Sequence, residues 1–216
     1  MAKLRPPPTA TDEDVRALLA RYRCPVPFHE VRTRFLGNVA SPAMSSSPIK
    51  MVEDLWGGEL PAFDSMDAAN ELISALVMGL WNRLIRHQDR DSPFRLTRIE
   101  TAPTREALAA LALMRVQEIE GFVHGLFGRE EEIDLPERAH RALDDLGKMR
   151  ALFGAVQKVA SGVVKDATLD NMEVTLRHMR EMTKNAEHAM HTVVLYCKRA
   201  RRQMLAGVPA SKPTMH

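Results

Sequence analysis

Aromatic residues make up only 5% of this 216-residue chain, and it has just two cysteines. A core short of rings must be filled by aliphatic and thioether side chains, and methionine alone occurs 13 times. Unbranched side chains of this kind keep their rotamers in a helix, so the composition favours helices over sheets. Cys24 and Cys197 lie far apart with no CxxC spacing, which excludes a zinc ribbon, a thioredoxin-like motif and a disulfide framework. Both are expected to be free thiols in a reducing cytosol. Long apolar runs are missing as well. The longest uncharged one, Ala107 to Met114, is far short of the ~20 residues that a bilayer crossing needs. The N-terminus, MAKLRPPPTATDED, has no apolar stretch of the secretory type. A cytoplasmic protein with no membrane partner is the expectation. Charge of one sign is also scarce: a net +2 leaves little excess for a strongly basic nucleic-acid binder.

Catalytic signatures are absent too. The chain has no G-x-S-x-G elbow, no Walker loop and no G-x-G-x-x-G turn. No enzyme activity, catalytic residue or cofactor is therefore expected.

What the sequence does contain is helical periodicity. Residues 1–10, with Pro6, Pro7 and Pro8, read as a disordered arm. Thr11 reads as the N-cap of a first helix, with Asp12, Glu13 and Asp14 at the positive end of its dipole. Val31, Phe35, Leu36 and Val39 recur at helical spacing after the Cys24-Pro25-Val26-Pro27 break. Ser47 and Pro48 read as the start of a third helix, stopped by Gly57 and Gly58. Ser65 is expected to cap a fourth, whose apolar stripe from Ala69 to Leu84 is broad enough for a helix near the centre of the domain. A fifth starts at Thr101 or Thr104 and carries Gly121 and Gly125. Each glycine costs a helix roughly 1 kcal/mol relative to alanine, which is tolerable if another helix packs closely there. Asp134 is the expected cap of a sixth helix, and the sequence leaves open whether that helix breaks at Gly147.

The sharpest pattern comes last. Leu169, Met172, Leu176, Met179, Thr183, Ala186, Met190, Val193, Cys197, Ala200 and Met204 alternate spacings of three and four, with Thr183 the only polar member. This is the seam of a long packed helix of ~55 Å, part of which is expected to project beyond the domain. The expected organisation is an all-α, bundle-like domain over residues 11–206 that ends in a long helix, with a disordered tail at 207–216.

Two stretches carry a resemblance. SPAMSSSPIKMVEDLWGG holds Ser41-Pro42 and then Trp56-Gly57-Gly58. EGFVHGLFGREEEIDLP holds Gly121, Gly125, Leu135 and Pro136. In order and spacing they resemble signatures of the YecA/YgfB-like bacterial proteins, over roughly residues 12–195. The resemblance implies an all-α fold and no catalytic residues. Where family members often carry E-L-D-G-F-L, this chain reads EVRTRFLG, with Arg32 and Thr33 in place of the acidic residue and the glycine. The chain also ends AGVPASKPTMH, without the zinc-binding tail that some members have.

Several side-chain groups invite functional readings. His188 and His191, with Glu187 adjacent, share a helix face, and Glu120 and His124 form an i, i+4 pair. Zinc or a di-metal centre needs three or four converging ligands, and no second such motif exists, so no metal is expected. Lys198, Arg199, Arg201 and Arg202 form a basic cluster. It suits a helix C-terminus and is also the candidate nucleic-acid contact. Met190, Val193, Cys197 and Met204 are the candidate contacts for a partner helix, including one from a second copy in a homodimer, because methionine adapts to varied surfaces. The leading expectation is a non-enzymatic protein-interaction or regulatory module with a protein partner. The alternative is nucleic-acid binding through the basic end of the last helix.

Overall fold

The computed structural model describes residues 10–43, 46–163 and 171–207, and among them every regular element is helical. The helices are α1 (Asp12–Arg21), α2 (Phe28–Ala40), α3 (Pro48–Asp54), α4 (Met66–Ile73), α5 (Asn82–Leu84), α6 (Arg105–Phe127), α7 (Glu137–Ala160) and α8 (Met172–Gly207). The expected arm before Ala10, the tail after Gly207 and the start of the seam at Leu169 lie outside the described residues.

Caps form where short polar side chains precede apolar runs. Thr11 and Asp14 make a reciprocal capping box at α1. Ser65 accepts from the Ala68 N–H at 3.2 Å, and Thr104 from Ala107 at 3.3 Å. Gly57 and Gly58 adopt φ values of 81° and 105° after α3, a left-handed turn that side chains resist. Some expectations need correction. Ser47 precedes α3 but makes no side-chain cap bond. Asp134 does not cap α7: the N-cap position is Pro136, which has no side chain able to bond. At Gly147, which the sequence leaves open, α7 does not break but runs on for its full 24 residues. Between α4 and α5 the chain widens into a π-helical segment, Ser74–Trp81, and then tightens to a 3₁₀ turn at Ile85–Gln88. The broad apolar stripe there spans a change of helical pitch, a feature that periodicity alone does not show.

α6, α7 and α8 form an up-down-up array. α2 lies against the second half of α6 and runs in the same direction. Three glycines set how closely α2 and α6 approach. A Cβ on Gly37 would lie 2.6 Å from Leu126 N, and one on Gly125 would lie 2.6 Å from the Arg34 carbonyl carbon. One on Gly121 would lie 2.7 Å from Thr33 Oγ1. Here the two glycines inside α6 find the close neighbour that makes them tolerable.

An extended segment through Phe94, Leu96 and Thr97 is held against this array, with Phe94 and Leu96 buried. It cannot use a helix ladder, so side chains satisfy its buried backbone groups. Glu118 accepts from Thr97 N–H at 2.8 Å, and Glu187 accepts from Leu96 N–H at 2.9 Å. Arg115 pairs with Glu118 and donates to the Thr97 carbonyl at 2.8 Å and to Thr183 Oγ1 at 3.1 Å. The one polar position in the α8 seam is thus the partner of a buried arginine. Thr183 passes its own proton to the Met179 carbonyl at 2.8 Å, so the hydroxyl is satisfied on both sides.

Candidate interaction surface

The side chains singled out on α8 fall into different environments. Met190, Val193 and Cys197 are fully buried against the chain's own helices. They are therefore not a partner-helix surface: α8 spends this part of its seam on the chain's own core. Burial also pushes the Cys197 thiol up to about 12, because a thiolate there would lose its hydration. Met204 differs, being 46% exposed. It lines a cavity with Pro42, Ala43, Glu132 and Ile133, so this end of α8 sits beside the acidic loop rather than projecting free of the domain.

The basic cluster is divided as well. Lys198 donates to the Gln88 carbonyl at 2.8 Å and lies 3.4 Å from Asp89. Arg201 is half-buried, while Arg199 and Arg202 are exposed. The four cations do not form one open face.

The histidine pairs are separated by their neighbours. Glu187 bonds to Leu96 N–H and, at 2.6 Å, to Arg95. His188 is exposed, and His191 Nε2 lies 3.3 Å from the Arg90 carbonyl. Burial lowers the His191 pKa, although the Arg90 carbonyl opposes the shift. Glu120 does not pair with His124. It bonds to Arg150 across the helix gap, with Nε at 2.7 Å. His124 is left with a lowered pKa, first through burial and then through the nearby Arg34 guanidinium. Among the described residues no three His, Cys, Asp or Glu side chains are placed to share a metal ion.

The two motif stretches that carry the family resemblance meet in the fold. Asn38, Ser41 and Ser46 face Gly125 and Arg129 across a small cleft of about 60 Å³. Arg129 bonds to Asp54 at 2.8 Å across it. Asn38 is satisfied there, donating to Ser46 at 2.9 Å and accepting from Trp81 Nε1 at 2.9 Å.

A more open surface lies elsewhere, along the outer side of the α6/α7 hairpin. Two cavities, of about 810 and 530 Å³, follow one another along this side and meet at the Glu120–Arg150 pair; together they are the groove of the α6/α7 hairpin. Val123, Phe127 and Leu143 line one half, and Leu113, Val116 and Ala155 the other. Leu113 is 45% exposed. Gly147 and Gly154 open onto the groove with nothing within 4 Å of where a Cβ would stand.

Sequence reading missed this surface because it followed the stronger apolar set on α7. Leu146, Met149 and Phe153 of that set are indeed buried, while Leu143 and Val156 are only partly so. The missed signal is a second 3.5-residue repeat on the same helix: His140, Asp144, Gly147, Ala151, Gly154 and Lys158. No helix among the described residues is long and apolar enough to cross a membrane. Comparison with known proteins finds no matching family model, no matching curated protein and no matching solved structure. The resemblance to YecA/YgfB-like proteins therefore rests on the two motif stretches alone.

Proposed function

We propose that this chain is a non-enzymatic interaction module that receives an amphipathic helix of a protein partner along the α6/α7 groove. The observation that carries this reading is the groove itself. It is open, apolar along its floor and bounded by charges at both ends. Glu131, Glu132 and Asp144 lie toward the α6–α7 loop, and Lys158 lies toward the other end. A helix laid into such a groove would bury Leu113, Val116 and Phe127 without rearranging the bundle. Kinship with YecA/YgfB-like proteins belongs to the same proposal and brings no catalytic chemistry with it.

The test is affinity capture from the native cell with the unaltered chain and an Ala151→Arg variant. Ala151 is exposed and lines the groove, so an arginine there blocks the surface without touching the core. Loss of a stoichiometric partner from the variant is the expected result. Retention of the same partner at the same yield would remove the groove from the function.

The second reading, phosphate contact through the basic end of α8, draws on the exposure of Arg199 and Arg202. Binding of that kind should weaken steeply with salt. Failure to retard DNA or RNA at low ionic strength would end it.

A further inference from the structure

We infer that the occupant of the α6/α7 groove is the α7 helix of a second copy of this chain, in a two-fold antiparallel pair; the inference rests on the groove's being a helix-docking surface. The arrangement of α7 is the reason. Its groove-side residues follow a 3.5-residue repeat, with glycine or alanine at 147, 151 and 154 and opposite charges outside them. Asp144 and Lys158 each lie seven residues from Ala151. Placing Ala151 on a two-fold axis brings Asp144 of each copy opposite Lys158 of the other, so the charge pair forms twice. Gly147 then faces Ala155, and small residues at the crossing let the helix axes approach to the short end of the usual 8–10 Å range.

The charged partners are available. Lys158 makes no ion pair among the described residues, and Asp144 has only exposed neighbours on its own helix, His140 at 3.5 Å and Lys148 one turn on. The surface is large enough. Two helices of 23 and 24 residues present a face of roughly 35 Å by 20 Å, about 700 Å² per copy, close to the roughly 800 Å² a standard interface buries on each side. Exposed Leu113 would be covered at the same time. A same-sense pairing would set Asp144 against Asp144 and Lys158 against Lys158, so the charges also select the antiparallel orientation.

Sedimentation equilibrium on the full chain tests this with Asp144→Lys, Lys158→Asp and both changes together. A dimer at tens of micromolar is expected for the unaltered chain. Each single change replaces two attractive pairs with two repulsive ones and should weaken dimerisation by about tenfold or more. The double change should restore it, because the pair is regenerated with its charges exchanged. Mixing the two single variants should give a heterodimer, since each supplies the charge the other lacks. All these positions are exposed, and unchanged far-UV circular dichroism will show that the fold is intact. A dimer indifferent to the single changes would overturn the inference, as would a double variant that fails to recover. A monomeric unaltered chain would also overturn it. In that case a partner lost on Ala151→Arg would leave the groove reading standing, and a partner set indifferent to that change would sink both.

Discussion

Gly125→Ala offers the most direct test of how α2 and α6 are packed. The added Cβ would overlap the Arg34 carbonyl oxygen and stand 2.6 Å from its carbon, where ordinary contact begins at 3.4 Å. Both atoms are backbone, so no side chain can swing away. The helices must part by about 1 Å, and a close-packed interior transmits that displacement to its neighbours. Overpacking of this kind costs about 1–3 kcal/mol and more when backbone is the obstacle. Alanine returns about 1 kcal/mol through its better helix propensity. A net loss of about 2–3 kcal/mol remains, which for a chain of this size lowers Tm by roughly 5–10 °C. Gly147→Ala is the control. It makes the same chemical change within a helix, but nothing lies within 4 Å of the new methyl. It should stabilise by up to about 1 kcal/mol. Urea unfolding followed by far-UV circular dichroism, at concentrations where the chain is monomeric, measures both. A Gly125→Ala protein as stable as the parent would refute the close-approach argument. So would equal destabilisation by the two substitutions, since the cost would then be independent of distance.

The remaining predictions concern buried polar and titratable groups. Arg115→Met strands the Glu118 carboxylate, which is fully buried, and should cost about 3–5 kcal/mol in urea unfolding; a loss under about 1 kcal/mol would mean water reaches the site. Thr183→Val removes one acceptor from Arg115 and should cost about 1–2 kcal/mol. Coupling in a double-mutant cycle with Arg115→Met would confirm that they act as one network. Burial lowers the pKa values of His87, His124 and His191 from 6.5, so folding favours their neutral forms. The unfolded chain then binds more protons, and the stability present above about pH 6.5 should fall as pH drops through the folded values. His87→Gln should flatten that dependence, and an unchanged slope would count against His87 as a contributor. With its thiol pushed up to about 12, Cys197 should resist alkylation in the native protein and react on unfolding. Labelling at a rate independent of denaturant would contradict its burial.

The all-α architecture, the caps at Thr11 and Ser65 and the seam of α8 follow from local rules, and local rules are legible in one chain. A capping oxygen acts within three residues, and a helix repeats its faces every turn. Even the oddity of Thr183 was visible as the one polar seam residue, although its partner was not. What the sequence could not determine is which of two faces on one helix turns inward. α7 carries an apolar repeat through Leu146 and Phe153 and a small-residue repeat through Gly147 and Gly154, and only packing against α6 and α8 buries the first and leaves the second open. The same holds for α8, where Met190 and Cys197 stood as candidate partner contacts until the fold enclosed them. Long-range pairs lie further still from sequence reading. Glu118 with Thr97 and Glu187 with Leu96 join residues 21 and 91 positions apart. Their hydrogen bonds exist because an extended segment left its backbone unpaired between helices, a need that arises only once the chain is folded. Periodicity therefore determined the elements, and tertiary packing decided which of their faces remain available for function.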